Sequence, residues 1–154
     1  MQPMRTLIDN KKAYFDFEVL DKYEAGIVLQ GWEVKSLKSG RGSISGSFVK
    51  IFGNQAFLVN AIIANWKSGV VHSPEEERKQ RSLLLQKNQI KRIDLELKKK
   101  GITAVPLEIY ENEGKLVKVL IGLVRGKKKF DKRQKLKEKD MQKRLDQDRK
   151  QYNF

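Results

Sequence analysis

The chain has 154 residues, no cysteine, and 33 Lys or Arg against 19 Asp or Glu, a net charge of +14. That length builds one domain with some chain to spare, and the missing thiols exclude disulfides, thiolate catalysis and cysteine-held zinc or iron–sulfur sites. Hydrophobic residues make up 39% of the chain, below the ~45–50% of ordinary globular domains, so part of it is expected to lie outside a packed core.

No apolar run approaches the ~20 residues that span a bilayer. The longest, from Leu116 to Val124, is interrupted by Lys118 and Gly122. Met1 to Asn10 has no apolar stretch of signal-peptide length, so a cytoplasmic protein without a membrane partner is expected. The excess of positive charge points to a polyanion, because each phosphate neutralised by Lys or Arg adds a salt-dependent increment of affinity. That charge is unevenly placed. Gly126 to Phe154 carries 12 basic and 5 acidic residues, half the net charge in under a fifth of the chain. Three parts follow: a flexible N-terminus (1–9), a folded body (10–125) and a basic tail (126–154).

In chain order, Phe15, Phe17 and Val19 alternate with Asp16 and Glu18, the pattern of a half-buried strand. Asp21-Lys22 is read as a turn into a second strand over 23–29. Residues 32–37 form a short helix with Val34 and Leu37 on one face, ended by Ser39-Gly40. Two strands, 47–52 and 55–63, are joined by Gly53-Asn54, with glycine at the first central position as a type II′ hairpin turn requires. Ser73-Pro74-Glu75-Glu76 has the N-cap, N1 proline and N3 glutamate of a helix start. That helix is expected to run through Leu83-Leu84-Leu85. A further helix begins near Asn88, with Ile90, Ile93 and Leu97 on its inner face and Gly101 at its end. A hairpin over 102–110 and 116–124 completes the body. Pro106 makes its first strand an edge or bulged strand. The fold class is mainly β: about six short strands with two or three flanking helices, a closed or nearly closed antiparallel barrel of oligonucleotide-binding type.

The tail cannot bury enough apolar surface to order itself. Yet it has no Gly or Pro after Gly126 and is rich in helix formers. Phe130, Met141, Leu145 and Tyr152 fall on one side of a helical wheel, so it is read as disordered when free and helical on contact with a partner.

Little here supports catalysis. His72 is the single histidine and stands beside a helix cap. No His, Cys or carboxylate set has metal-ligand spacing. Ser39-Gly40-Arg41-Gly42-Ser43 lacks the Gly-Lys-Ser/Thr of a phosphate-binding loop, leaving a loop whose Arg41 touches phosphate, or a plain turn. Glu33 stands in a basic neighbourhood next to Lys35, where a carboxylate accepts from base amino groups and a lysine meets phosphate; the plain alternative is a surface ion pair.

Six segments in order carry a family resemblance: Asn10-Lys11-Lys12-Ala13, Glu24-Ala25-Gly26-Ile27, Gly31 to Leu37 with Glu33-Val34-Lys35-Ser36, Leu83-Leu84-Leu85, Gly101-Ile102-Thr103 through Val105-Pro106-Leu107, and Gly126 to Arg133. From about Asn10 to Lys150 the chain resembles the small protein B family, the SsrA-binding proteins. The resemblance implies an oligonucleotide-binding-type barrel, no cofactor and no enzymatic activity. It implies a monomer that binds the tRNA-like domain of transfer-messenger RNA and delivers it to stalled ribosomes for trans-translation, meeting elongation factor Tu only through that RNA. The RNA-binding residues of the body would be Glu33, Lys35, Ser36, Arg41, Leu83, Leu84, Leu85, Lys127, Lys128 and Lys129. The tail segment in the vacant decoding centre and mRNA channel, against small-subunit rRNA, would be Phe130, Asp131, Lys132, Arg133, Lys135, Lys137 and Met141. Two other readings stay open at this stage: another barrel-type ribosomal protein or initiation factor, and a nuclease using clustered carboxylates with a divalent ion.

Overall fold

The computed structural model describes residues 5–65, 71–127 and Met141. Nine strands and four helices are found among them: β1 (Arg5–Asp9), α1 (Lys11–Asp16), β2 (Phe17–Ile27), α2 (Gly31–Lys38), β3 (Gly42–Ser43), β4 (Phe48–Phe52), β5 (Gln55–Val59), β6 (Ile62–Ile63), α3 (Pro74–Glu77), β7 (Arg81–Leu84), α4 (Lys87–Leu97), β8 (Ile102–Glu111) and β9 (Val117–Gly126). Seven strands form one antiparallel sheet in the order β1-β8-β9-β2-β7-β5-β4, and β3 pairs with β6. The sheet curls until β4, last in the order, packs against β8, second in the order. Closure is by packing rather than by a ladder of hydrogen bonds, the nearly closed barrel expected. No helix among the described residues is long and apolar enough to cross a membrane.

The hairpin of β8 and β9 is the backbone of the barrel. Its apolar runs are continuous because both faces are covered. Ala104, Ile109, Val119, Ile121 and Leu123 enter the main core, while Val105, Leu107 and Val124 form a second cluster under Ala13 of α1. The ladder slips between Pro106 and Glu108, so the proline, which has no N–H to give, sits at a bulge. It is not on an edge, since β1 pairs on the other side of β8.

Several expectations are corrected. Segment 1–9 is not wholly flexible: Arg5–Asp9 pairs with β8 and buries Ile8. The partner lies a hundred residues away, beyond the reach of any local signal. Phe15 belongs to α1, not to a strand. Asn10 caps this helix by accepting from the Ala13 N–H at 3.3 Å, and its amide donates to the Pro106 carbonyl at 2.7 Å. Asp21-Lys22 makes no turn; β2 runs straight through, with a bulge against β9 between Val19 and Asp21. The run expected over 55–63 breaks at Asn60, whose φ is 71°.

The largest correction concerns Leu83-Leu84-Leu85. Ser73 does cap a helix, accepting from the Glu76 N–H at 3.2 Å, but that helix spans only Pro74–Glu77. The Glu76 carboxylate turns to His72 instead of closing the capping box. The chain then becomes β7, inserted between β2 and β5. Two flanking ladders outweigh the helical preference of leucine. α4 buries Ile90 and Ile93 as expected and ends at Lys98; Gly101, at φ 81°, makes the turn into β8 rather than the immediate cap. Gly53, at φ 61° and followed by a residue of ordinary φ, makes the two-residue turn between β4 and β5.

Candidate nucleic-acid interface

The site begins at α2, and its central residue is not where a contact residue should be. Glu33 is 1% exposed and Arg81 2%. One Glu33 carboxylate oxygen accepts from Arg81 Nε at 2.5 Å; the other accepts from the Gln30 N–H at 2.8 Å and lies 3.6 Å from Lys79 Nζ. Arg81 uses the rest of its guanidinium on the carbonyls of Ala61, Lys79, Glu76 and Glu77, at 2.9 to 3.3 Å. All five N–H groups have acceptors, which a buried guanidinium requires. The pair ties α2 to β7 and to the turn after α3. Glu33 thus faces inward, where it holds α2 in place.

Ser36 also faces inward. It is fully buried, and its hydroxyl proton is shared between the carbonyls of Arg41 at 2.9 Å and Ala64 at 2.6 Å. Arg41 is half-buried in the turn that Ser36 fixes, its N–H donating to the Ser36 carbonyl at 2.9 Å. Gly42 follows, and a Cβ there would lie 2.8 Å from the Ile62 carbonyl oxygen, so the glycine is needed for close backbone approach rather than for phosphate. Lys35 remains exposed on the outer face of α2. Beside it, Trp32 stacks on His72, ring centres 4.0 Å apart, with Lys79 over the indole at 6.0 Å. His72 is a packing partner with its Nδ1 on Glu76 at 2.8 Å.

On β7 the strand alternation separates the leucines. Leu83 is buried; Leu84 is 61% exposed. Leu84 stands between two shallow grooves. One, of about 360 Å³, is lined by Val34, Leu84 and Leu116 with Lys115 and Lys118 at its rim. The other, of about 430 Å³, is lined by Val28, Gln55, Ser82, Leu84 and Leu85. Leu116 is 60% exposed and Val28 54%. Apolar side chains held in solvent beside lysines offer a face for bases and charges for phosphates, the combination by which proteins hold RNA. Sequence reasoning missed Val28, Lys115, Leu116 and Lys118. The available signal was Leu116, placed next to a hairpin turn that a core leucine would avoid.

The structure brings Val34, Leu84 and Lys118 together. It does not bring Lys127 to them: nine positions of β9 separate it from Lys118, roughly 30 Å along a strand. Lys127 is instead bound to α1, its N–H to the Asp16 carbonyl at 3.1 Å and its Nζ to the Tyr14 carbonyl at 2.9 Å. Lys128, Lys129, Phe130, Asp131, Lys132, Arg133, Lys135 and Lys137 lie outside the described residues; Met141 is exposed. Away from the grooves, burial and the Tyr110 hydroxyl's hydrogen bond to the Glu24 carboxylate push the Tyr110 phenol well above its usual value. Among the described residues no three His, Cys, Asp or Glu side chains gather to hold a metal.

A small, nearly closed antiparallel barrel of high positive charge, with an apolar-and-lysine face left open, defines a nucleic-acid-binding barrel protein. Comparison with known proteins narrows the class. The family model described as SmpB protein matches residues 7–151, and the chain belongs to that family. An SsrA-binding protein of Helicobacter hepaticus is 46% identical over 137 residues, covering 89% of this chain and 88% of the relative. One of Thermus thermophilus is 40% identical over 144 residues, covering 94% and 99%. Among solved structures, a chain from one described as "tmRNA-SmpB: a journey to the center of the bacterial ribosome" is similar at a TM-score of 0.67, with 43% identity, covering 79% of this chain and 84% of its own.

Proposed function

We propose that this protein binds transfer-messenger RNA, the SsrA RNA, through its tRNA-like domain and delivers it to stalled ribosomes for trans-translation. The observation that carries the reading is the family match over residues 7–151. The open face around Leu84, with Lys115 and Lys118, supplies the physical means. Leu84, Leu116 and Val34 receive bases or riboses, Lys118, Lys115 and Lys35 meet phosphates, and Glu33 with Ser36 positions α2 beside them. The RNA brings elongation factor Tu with it, and the protein acts as a cytoplasmic monomer. It is not an enzyme: its contribution is placement. The tail from Phe130, with Asp131, Lys132 and Arg133, then probes the vacant decoding centre and mRNA channel against small-subunit rRNA. Phe130 offers a ring to an unstacked base, and Arg133 a bidentate fork to phosphate.

The test compares two variants. Leu84→Asp puts a carboxylate on the open face and is expected to weaken transfer-messenger RNA binding by tenfold or more in a gel-shift titration. Removal of residues 131–154 is expected to leave that binding within about twofold and to abolish peptide tagging on stalled ribosomes. Full tagging by the truncated chain would refute the role of the tail. Recovery of bulk rRNA with no enrichment of transfer-messenger RNA in a pull-down would refute the reading as a whole.

A further inference from the structure

We propose that the outer face of β4 is a second RNA-binding surface, a stacking platform for unpaired bases separate from the grooves around Leu84. Along β4 the outward positions are Phe48, Lys50 and Phe52, while Val49 and Ile51 face the core. Phe48 is 40% exposed and Phe52 72%. The two phenylalanines lie about 13 Å apart along the strand with the lysine midway. Directly across the ladder from Lys50 stands Phe57 of β5, half-buried on the same face, and from Phe52 stands Gln55.

Nothing in the fold requires these rings in solvent. The inner positions of β4 already close the barrel, and a phenylalanine as exposed as Phe52 contributes little burial. No carboxylate stands at any outward position of β4, β5 or β7. These three strands therefore present no carboxylate to a phosphate, and their one outward charge, Lys50, is placed between two rings; at the Phe48 end the face borders a groove that Lys12 and Asp16 also line. Alternating aromatic and basic side chains on a sheet surface hold single strands, since every base has a face to stack and every nucleotide a phosphate. A duplex hides its base faces and gains nothing from the rings. From β7, which carries Leu84, to β4 is two strand spacings, roughly 10 Å, so both surfaces can be occupied at once.

The choice of RNA as partner rests on the function proposed above, and the experiment separates the two. The probe is end-labelled octaadenylate, with a duplex of equal length as control, titrated with the full chain by fluorescence anisotropy at fixed salt. Phe52→Ala and Phe48→Ala are each expected to weaken octaadenylate binding about tenfold, and Phe52→Trp to retain it. Lys50→Gln is expected to lower the salt slope by about 0.7. Duplex binding and transfer-messenger RNA binding are expected to stay within twofold in all of these, whereas Leu84→Asp is expected to affect transfer-messenger RNA and spare octaadenylate. Phe52 is exposed enough for its removal to leave the fold intact, which a circular-dichroism melt checks.

Equal octaadenylate affinity in the wild type and the Phe48→Ala/Phe52→Ala double variant overturns the platform, as does absence of octaadenylate binding by the wild type. So does a dimer in sedimentation that Phe52→Ala abolishes, since the face would then be covered by a second copy. None of these results touches the reading of the Leu84 face, which fails only if transfer-messenger RNA is not bound.

Discussion

Replacing Arg81 with methionine tests the account of α2 most directly. Arg81 is almost wholly enclosed, and its Nε–H is the closest donor to Glu33. Methionine keeps much of the volume and removes the charge and all five donors. Glu33 would retain the Gln30 N–H at 2.8 Å and Lys79 at 3.6 Å, too little for a carboxylate 1% exposed. Glu76 and Glu77 end α3 and are exposed and half-buried, but Ala61 is buried, and its carbonyl loses a donor. Breaking a buried pair on one side costs about 3–5 kcal/mol. With Lys79 offsetting part of that, about 3 kcal/mol is expected, a fall in Tm of roughly 6–12 °C for a chain of this size. Urea or thermal denaturation followed by far-ultraviolet circular dichroism measures it. The double variant Glu33→Gln/Arg81→Met is expected to cost less than the sum of the single changes, by roughly 2 kcal/mol, because the two side chains share one interaction. A loss under about 1 kcal/mol for Arg81→Met would refute the reasoning. So would a Glu33→Ala chain of unchanged Tm with weakened RNA binding, since Glu33 would then be a contact rather than a support.

Two further predictions concern the body. Gly42→Ala would press a Cβ to 2.8 Å from the Ile62 carbonyl oxygen; backbone cannot swing aside, so a destabilisation of about 1–3 kcal/mol is expected in urea titrations. For Tyr110, burial first and the Glu24 hydrogen bond second raise the folded-state pKa. The folded state therefore keeps the proton longer than the unfolded chain. The resulting stability is complete below pH ~10, the unfolded value, and is lost as pH rises above it. Tyr110→Phe is expected to lower stability at pH 7 by about 1 kcal/mol and to flatten its decline between pH 10 and 11.5 in thermal melts. A decline as steep as the wild type's would remove Tyr110 as its source.

What could be read from the sequence was local. The Gly53-Asn54 turn, α2, α4 and the hairpin around Pro106 each carry their cause within a few residues: a glycine of positive φ, an apolar spacing of three or four, a proline without an N–H. What could not be read depended on partners far along the chain. Leu83-Leu84 is strand because β2 and β5 lie on either side of it. Period-two alternation was present at Arg81 and Leu83 against Ser82 and Leu84, but it emerges only when an arginine is allowed to face inward. That requires knowing that Glu33, 48 residues earlier, waits for it. The same gap explains why Glu33 read as a surface residue. The open face assembles Val34, Leu84 and Lys118 from three elements; Val34 and Leu84 stood in segments marked for RNA, and Lys118 did not.

The fastening of Lys127 to α1 has a consequence for affinity. Two hydrogen bonds to the carbonyls of Tyr14 and Asp16 give the remaining 27 residues a fixed point of origin on a rigid barrel. Once the body is engaged, the tail need not be found by diffusion. On the function proposed above, its target would meet it at an effective concentration set by length, on the order of millimolar for short linkers. On the same proposal, attachment of the body and attachment of the tail would multiply into 10²–10⁴ greater avidity at a target that offers both surfaces at the right separation. On that reading the anchor would act as a ruler: the molecule would respond to a spacing between two sites rather than to either site by itself.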